Sequence, residues 1–92
     1  MKTLVIYDIT DDNLINAVSE VCKNFGLSRI QKSAFLGNLV SSARKELKVA
    51  LERTLGDGEG NIQIFMLCNA CITFREILGK YTVPPEMGTV IV

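Results

Sequence analysis

The sequence predicts an α+β fold with two helices packed on one face of an antiparallel sheet. Three observations predict it. β-prone apolar runs occupy residues 3–8 and 61–67, two amphipathic helical stretches begin near residues 12 and 41, and Gly falls at the joins between these elements. Ninety-two residues make one domain with a single modest core.

The first strand reads Thr3-Leu4-Val5-Ile6-Tyr7-Asp8, rich in the β-branched and aromatic residues that suit a pleated surface. Thr10, Asp11, Asp12 and Asn13 then offer N-caps and early negative charge for a helix. Leu14, Val18, Val21, Cys22 and Phe25 follow at i, i+4, i+7, i+8 and i+11, one apolar stripe, and Gly26 is placed to end that helix. Residues 27–40 show no helical period and read as one or two extended segments, with a bend between Gln31 and Gly37. A second helix is expected from Ser41-Ser42, capped by Ser, with Ala43, Leu47, Ala50, Leu51 and Thr54 on one face. Gly56-Asp57-Gly58-Glu59-Gly60 reads as a flexible connector to the strand at 61–67. Residues 74–79 suit a short helix or a strand, Pro84-Pro85 is a break, and Thr89-Val90-Ile91-Val92 is a β-prone tail expected to pair with a sheet. The order β-α-β-β-α-β points to a ferredoxin-like sandwich. Such a sandwich leaves one sheet face without helices, and apolar residues there favour a homodimer. The expected division is a domain over 1–80 and a C-terminal strand or tail over 81–92 for dimer or partner docking.

Composition narrows the chemistry. Ten basic residues balance ten acidic ones, so net charge does not steer the chain to nucleic acid, and only a local basic stripe could. The absence of His removes the commonest general base and zinc ligand. No apolar run approaches 18 residues, so no membrane partner is expected and a cytoplasmic location is the default. Three Cys in such a chain read as free thiols, with Cys22 on the core stripe of the first helix.

Asp8 is the residue that most needs explaining. A carboxylate ending an apolar strand is either a ligand for a hard divalent cation or a polar residue closing a strand before a helix. One carboxylate is a thin site, and a two-fold axis would supply the second. Asp11 and Asp12 could add ligands or only favour a helix N-terminus. Arg29, Gln31 and Ser33 share one parity and are expected to project together, as a phosphate-holding cluster or a solvated strand face. Arg44, Lys45 and Lys48 form a stripe that could contact a phosphate backbone or simply be solvated. Cys68-x-x-Cys71 is half a zinc site or a redox pair with nothing to complete it, and it favours a structural role.

Tyr7-Asp8-Ile9 with Asp11-Asp12, and the run from Gly26 through Arg29-Ile30-Gln31-Lys32-Ser33-Ala34-Phe35 to Gly37, resemble the CRISPR-associated protein 2 family. Ile62-Gln63-Ile64-Phe65 and Ile77-Leu78-Gly79 continue the resemblance, which covers residues 3 to about 79. It implies a ferredoxin-like homodimer whose last strand crosses to the partner subunit. It also implies one Mg²⁺ (or Mn²⁺) shared by the two Asp8 carboxylates. Tyr7, Asp8, Arg29, Ser33 and Phe35 match positions tied in that family to nuclease activity or to the interface. The implied activities are metal-dependent endonuclease cleavage of RNA or double-stranded DNA, and an adaptor role in CRISPR spacer acquisition. In the second, the dimer bridges the CRISPR integrase (CRISPR-associated protein 1) and holds protospacer DNA through Arg44, Lys45 and Lys48. Ile15 and Ala17 stand where members often carry Arg or Lys, which weakens the case for an independent nuclease. A ferredoxin-like regulatory domain that binds a metabolite is a third class. It leaves Asp8 and the segment from Arg29 to Phe35 unexplained.

Overall fold

The computed structural model describes residues 1–68, 70 and 76–79. Strand β1 (Lys2–Asp8) leads into helix α1 (Asp12–Asn24). Strands β2 (Ser28–Gln31) and β3 (Ala34–Asn38), helix α2 (Ser41–Leu55) and strand β4 (Asn61–Leu67) follow. The sheet order is β2-β3-β1-β4, and every neighbouring pair is antiparallel. This is the ferredoxin-like arrangement expected from the element order. The bend anticipated between Gln31 and Gly37 falls at Lys32 and Ser33.

Alternation in β1 sorts the sheet into two faces, because successive side chains of a strand point oppositely. Thr3, Val5 and Tyr7 are buried on the face covered by the helices. Register places Gly37 and Phe35 of β3, and Met66, Ile64 and Ile62 of β4, beside them. Val18 and Cys22 of α1 and Leu47 and Leu51 of α2 close that core. Leu4, Ile6 and Asp8 lie on the opposite face, away from α1 and α2. There Ile30, Ala34 and Leu36 form a second apolar cluster with Leu4 packed against it. Ile6 and Phe65 remain about two-fifths exposed, at 38% and 42%.

The helix ends have identifiable causes. Asp11 caps α1, its Oδ2 accepting from the Leu14 amide at 2.8 Å, and Gly26, with φ of 84°, follows the C-cap Phe25. The expected Ser cap of α2 is corrected. The N-cap is Val40, in extended backbone, with no side-chain capping bond, and Ser41 is already helical. A capping side chain must sit on the extended residue before the helix, and the chain reaches that geometry one residue early.

The glycine-rich connector joins α2 to β4 as expected, and two of its glycines lie close to neighbouring residues. A Cβ at Gly58 would lie 2.8 Å from Leu14 Cδ2 and 2.9 Å from the Leu55 carbonyl oxygen. A Cβ at Gly60 would lie 2.5 Å from the Asp8 carbonyl oxygen. Residues 76–79 are neither helix nor strand. The expected break at Pro84-Pro85 and the tail over 81–92 lie outside the described residues, as does Cys71. No helix among the described residues is long and apolar enough to cross a membrane.

Candidate metal and nucleic-acid site

The residues singled out from the sequence do not form one cluster. Asp8 is exposed at the last position of β1, on the face away from α1 and α2, opposite Asn61 of β4. Tyr7 and Phe35 point the other way, into the helix-covered core, and are 3% and 0% exposed. Their rings pack with centroids 6.4 Å apart and planes inclined by 23°. Arg29 pairs with Phe35 in the β2–β3 register and lays its guanidinium over the Phe35 ring, 5.0 Å from the centroid, a cation–π contact.

The expectation that Arg29, Gln31 and Ser33 project together is corrected. A register shift between Arg29 and Gln31 interrupts the alternation. An extra residue in one strand breaks the parity that a regular strand would keep. Arg29 is left on the helix side, Gln31 is exposed opposite Ala34, and Ser33 is exposed in the turn.

Arg29 and Tyr7 belong to one hydrogen-bond ring. Arg29 Nη1 donates to the Lys32 carbonyl oxygen at 2.8 Å, and Nη2 donates to Ser19 Oγ at 3.1 Å. The Tyr7 hydroxyl donates to the same Lys32 carbonyl at 3.1 Å and lies 3.1 Å from Ser19 Oγ. A phenol has one proton to give. Tyr7 spends it on Lys32, so Ser19 donates to Tyr7. The Tyr7 amide also donates to the Ser33 carbonyl at 3.0 Å. These five bonds to and through Tyr7 and Arg29 tie α1 and β1 to the turn between β2 and β3. Ser19 is the member that sequence reasoning missed. Its signal was a hydroxyl beside Val18 on the stripe of α1, where it is 4% exposed and where a polar group needs partners.

The basic stripe lies elsewhere. Arg44, Lys45 and Lys48 line a groove of about 500 Å³ between α2 and β4, with a floor that includes Leu51, Ile64 and Met66. Arg44 stands eleven residues before Leu55, the last residue of α2, a helical rise of roughly 16 Å. The stripe therefore begins well away from the loop that meets Asp8.

Two candidate ligand groups are accounted for otherwise. Cys22 is fully buried, and desolvation pushes its thiol pKa up to about 11 against a smaller opposing pull from Arg29. It remains a neutral packing group at neutral pH. Cys68 is exposed. Among the described residues of one chain, no three His, Cys, Asp or Glu side chains gather into a metal-binding group. A hard cation at Asp8 would need a second carboxylate from another copy of the chain, and Asp8 is exposed at the end of β1.

With that geometry in place, comparison with known proteins is decisive. The family model for CRISPR associated protein Cas2 matches residues 1–74. The chain belongs to the Cas2 family. It is similar to a CRISPR-associated endoribonuclease Cas2 of Korarchaeum cryptofilum, 39% identical over 87% of this chain and 86% of that protein. It is also similar to a CRISPR-associated endonuclease Cas1/endonuclease Cas2 fusion of Thermoproteus tenax, 37% identical over 94% of this chain and 31% of the fusion. Among solved structures, Cas2 of Streptococcus pyogenes superposes with a TM-score of 0.75 at 23% identity, covering 86% of this chain and all of that one. That last likeness concerns the Cas2 fold alone.

Proposed function

We propose that this Cas2-family chain acts in CRISPR spacer acquisition as a homodimeric, metal-dependent endonuclease, with RNA as the first substrate class and double-stranded DNA as the second. The single observation that carries the reading is the position of Asp8, a solvent-exposed carboxylate at the end of β1 on the apolar sheet face opposite α1 and α2. Two copies meeting across that face would bring two Asp8 carboxylates together. Paired carboxylates are the oxygen donors that Mg²⁺ or Mn²⁺ takes. Relatives named endoribonuclease support the substrate class.

Held there, the ion would polarise the scissile phosphate and lower the pKa of an attacking water. The protein's own residues supply the rest. Asp8 holds the charge in place. Tyr7, Arg29 and Phe35 act as positioning residues, because their polar atoms and rings are spent inside the fold on Ser19, Lys32 and each other. Ser33, exposed in the turn they anchor, is the hydroxyl available to a substrate phosphate. The test is cleavage of single-stranded RNA and duplex DNA with Mg²⁺ or Mn²⁺ by the wild type and Asp8→Asn. Asp8→Asn is expected to lose roughly 100-fold or more of the activity, as removal of a Lewis-acid contribution of several kcal/mol requires. Equal cleavage by both proteins would sink the nuclease reading.

A second reading is favoured by a separate observation, the fusion relative that joins Cas1 and Cas2 in one chain. The dimer would serve as an adaptor, holding protospacer DNA through Arg44, Lys45 and Lys48 and docking CRISPR-associated protein 1 through the segment 81–92. Under this reading Asp8→Asn keeps its association with CRISPR-associated protein 1 in a pull-down. A variant that lost both cleavage and association would contradict the separation of the two roles.

A further inference from the structure

We propose that Lys32 is the phosphate-contacting cation of the Asp8 site, a role that rests on the nuclease reading above. The argument begins with register. Pairs from Lys2↔Asn38 to Ile6↔Ala34 run down the β1–β3 ladder. The bond from the Tyr7 amide to the Ser33 carbonyl carries the pattern one residue past the end of β3. The next residues in sequence are Asp8 and Lys32, so the backbone of Lys32 is brought alongside the end of β1 that carries Asp8.

The second observation is how firmly the turn is held. The Lys32 carbonyl accepts from both Arg29 Nη1 and the Tyr7 hydroxyl. A two-residue surface turn ordinarily makes its bonds within the hairpin. Here side chains from β1 and β2 pin its backbone, and Ser19 of α1 braces both of them. The peptide of Lys32 is fixed from the helix side, while the residue itself is exposed. Its ammonium takes no part in the ring, so the anchoring leaves the charge available.

The third observation is the charge at this end of the sheet. The connecting loops here carry Asp11, Asp57 and Glu59, and α1 opens on Asp12, while its first two turns contain no Lys or Arg. Among these loops, residues 9–11, 32–33 and 56–60, Lys32 is the one basic residue. A polyanion approaching Asp8 meets like charge from these loops and from the start of α1, which is unfavourable unless a cation is placed at the site. Lys32 is that cation by position.

The test measures binding of a labelled single-stranded RNA over a sodium chloride series without divalent metal. It also measures single-turnover cleavage of the same RNA with Mn²⁺. Lys32→Gln, Lys32→Arg and the control Lys23→Gln, on the last turn of α1, are compared with the wild type. Lys32→Gln is expected to lower the slope of log affinity against log salt by about 0.7 for each lysine lost from contact with a single strand. Cleavage is expected to fall about tenfold or more in parallel. Lys32→Arg should restore both, and Lys23→Gln should change neither. An unchanged salt slope in Lys32→Gln, with an unchanged thermal midpoint, overturns the proposal and leaves the nuclease reading standing. A wild type that cleaves nothing overturns the nuclease reading, and a reduced slope in Lys32→Gln then still supports the phosphate contact.

Discussion

Thr3 shows what one atom costs in this core. It is fully buried on the helix-covered face, and its Oγ1 is the one buried side-chain polar atom without a hydrogen-bond partner among the described residues. Its neighbours across the sheet are Gly37, which has no side chain, and Met66, whose thioether is only a weak acceptor. A buried hydroxyl with no partner forfeits its hydration for nothing. Thr3→Val keeps the branched shape that a strand favours and removes the orphan atom. The expected gain is about 1 kcal/mol, read in urea melts at fixed protomer concentration, with a thermal midpoint higher by about 4–8 °C. An unchanged or lowered midpoint would mean that the hydroxyl has found a partner. The same scale explains why Tyr7 and Phe35 look catalytic in a motif yet sit in the core. A motif records which residues recur together, whereas strand parity decides which of two faces each one reaches. Tyr7 and Asp8 are adjacent in sequence and lie on opposite faces of the sheet.

At the scale of elements, the loop 56–60 does more than join α2 to β4. Gly60 has φ of 124°, and a Cβ there would fall 2.5 Å from the Asp8 carbonyl oxygen and 3.0 Å from Ile9 Cγ1. The loop backbone therefore seats the last residue of β1, and only glycine allows so close an approach. Gly58 is as tightly packed, but against Leu14 and Leu55 instead. Gly60→Ala and Gly58→Ala are both expected to lose on the order of 1–3 kcal/mol of stability. Only Gly60→Ala should raise the Mn²⁺ concentration needed for half-maximal RNA cleavage, because only it displaces Asp8. A metal titration of the two variants checks this, and equal midpoints would show that the loop's role is structural alone. The glycines were plain in the sequence, but their use was not. A glycine that permits a turn and one that admits a neighbouring strand are spelled alike.

At the scale of the whole molecule, the sheet face opposite α1 and α2 is the apolar surface that matters for assembly. Ile30, Ala34 and Leu36 cluster there with Leu4, and Ile6 and Phe65 stay substantially exposed beside them. An apolar face of this kind marks an interaction surface, and under the proposed function its occupant is a second copy of the chain, which would pair Asp8 with Asp8. Ile6→Glu and Phe65→Glu place a carboxylate on that face without touching the helix-covered core. Each is expected to shift the dimer toward monomer, since placing an unpaired charge in an interface costs several kcal/mol. Sedimentation or light scattering over a concentration series checks this. A dimer as tight as the wild type would move the interface elsewhere, and Asp8 would lose its symmetry mate.

What the sequence determined by itself is the local and periodic part of this protein. The apolar stripe of α1, an N-cap within Thr10–Asn13, the stop at Gly26, the strands at 3–8 and 61–67 and their ferredoxin-like order follow from side-chain periods of 3.6 and 2 and from short-range capping. The motif around Asp8 and Arg29 was likewise legible, and with it the family. Only the tertiary structure decided how those residues divide. The shift of register after Arg29 turned its guanidinium inward to Ser19 and Lys32, the packing of Gly60 fixed the end of β1, and the Lys32 turn came to lie beside Asp8. Each of these depends on contacts between residues far apart in the chain, and a one-residue slip in a strand reverses the face that every later side chain reaches.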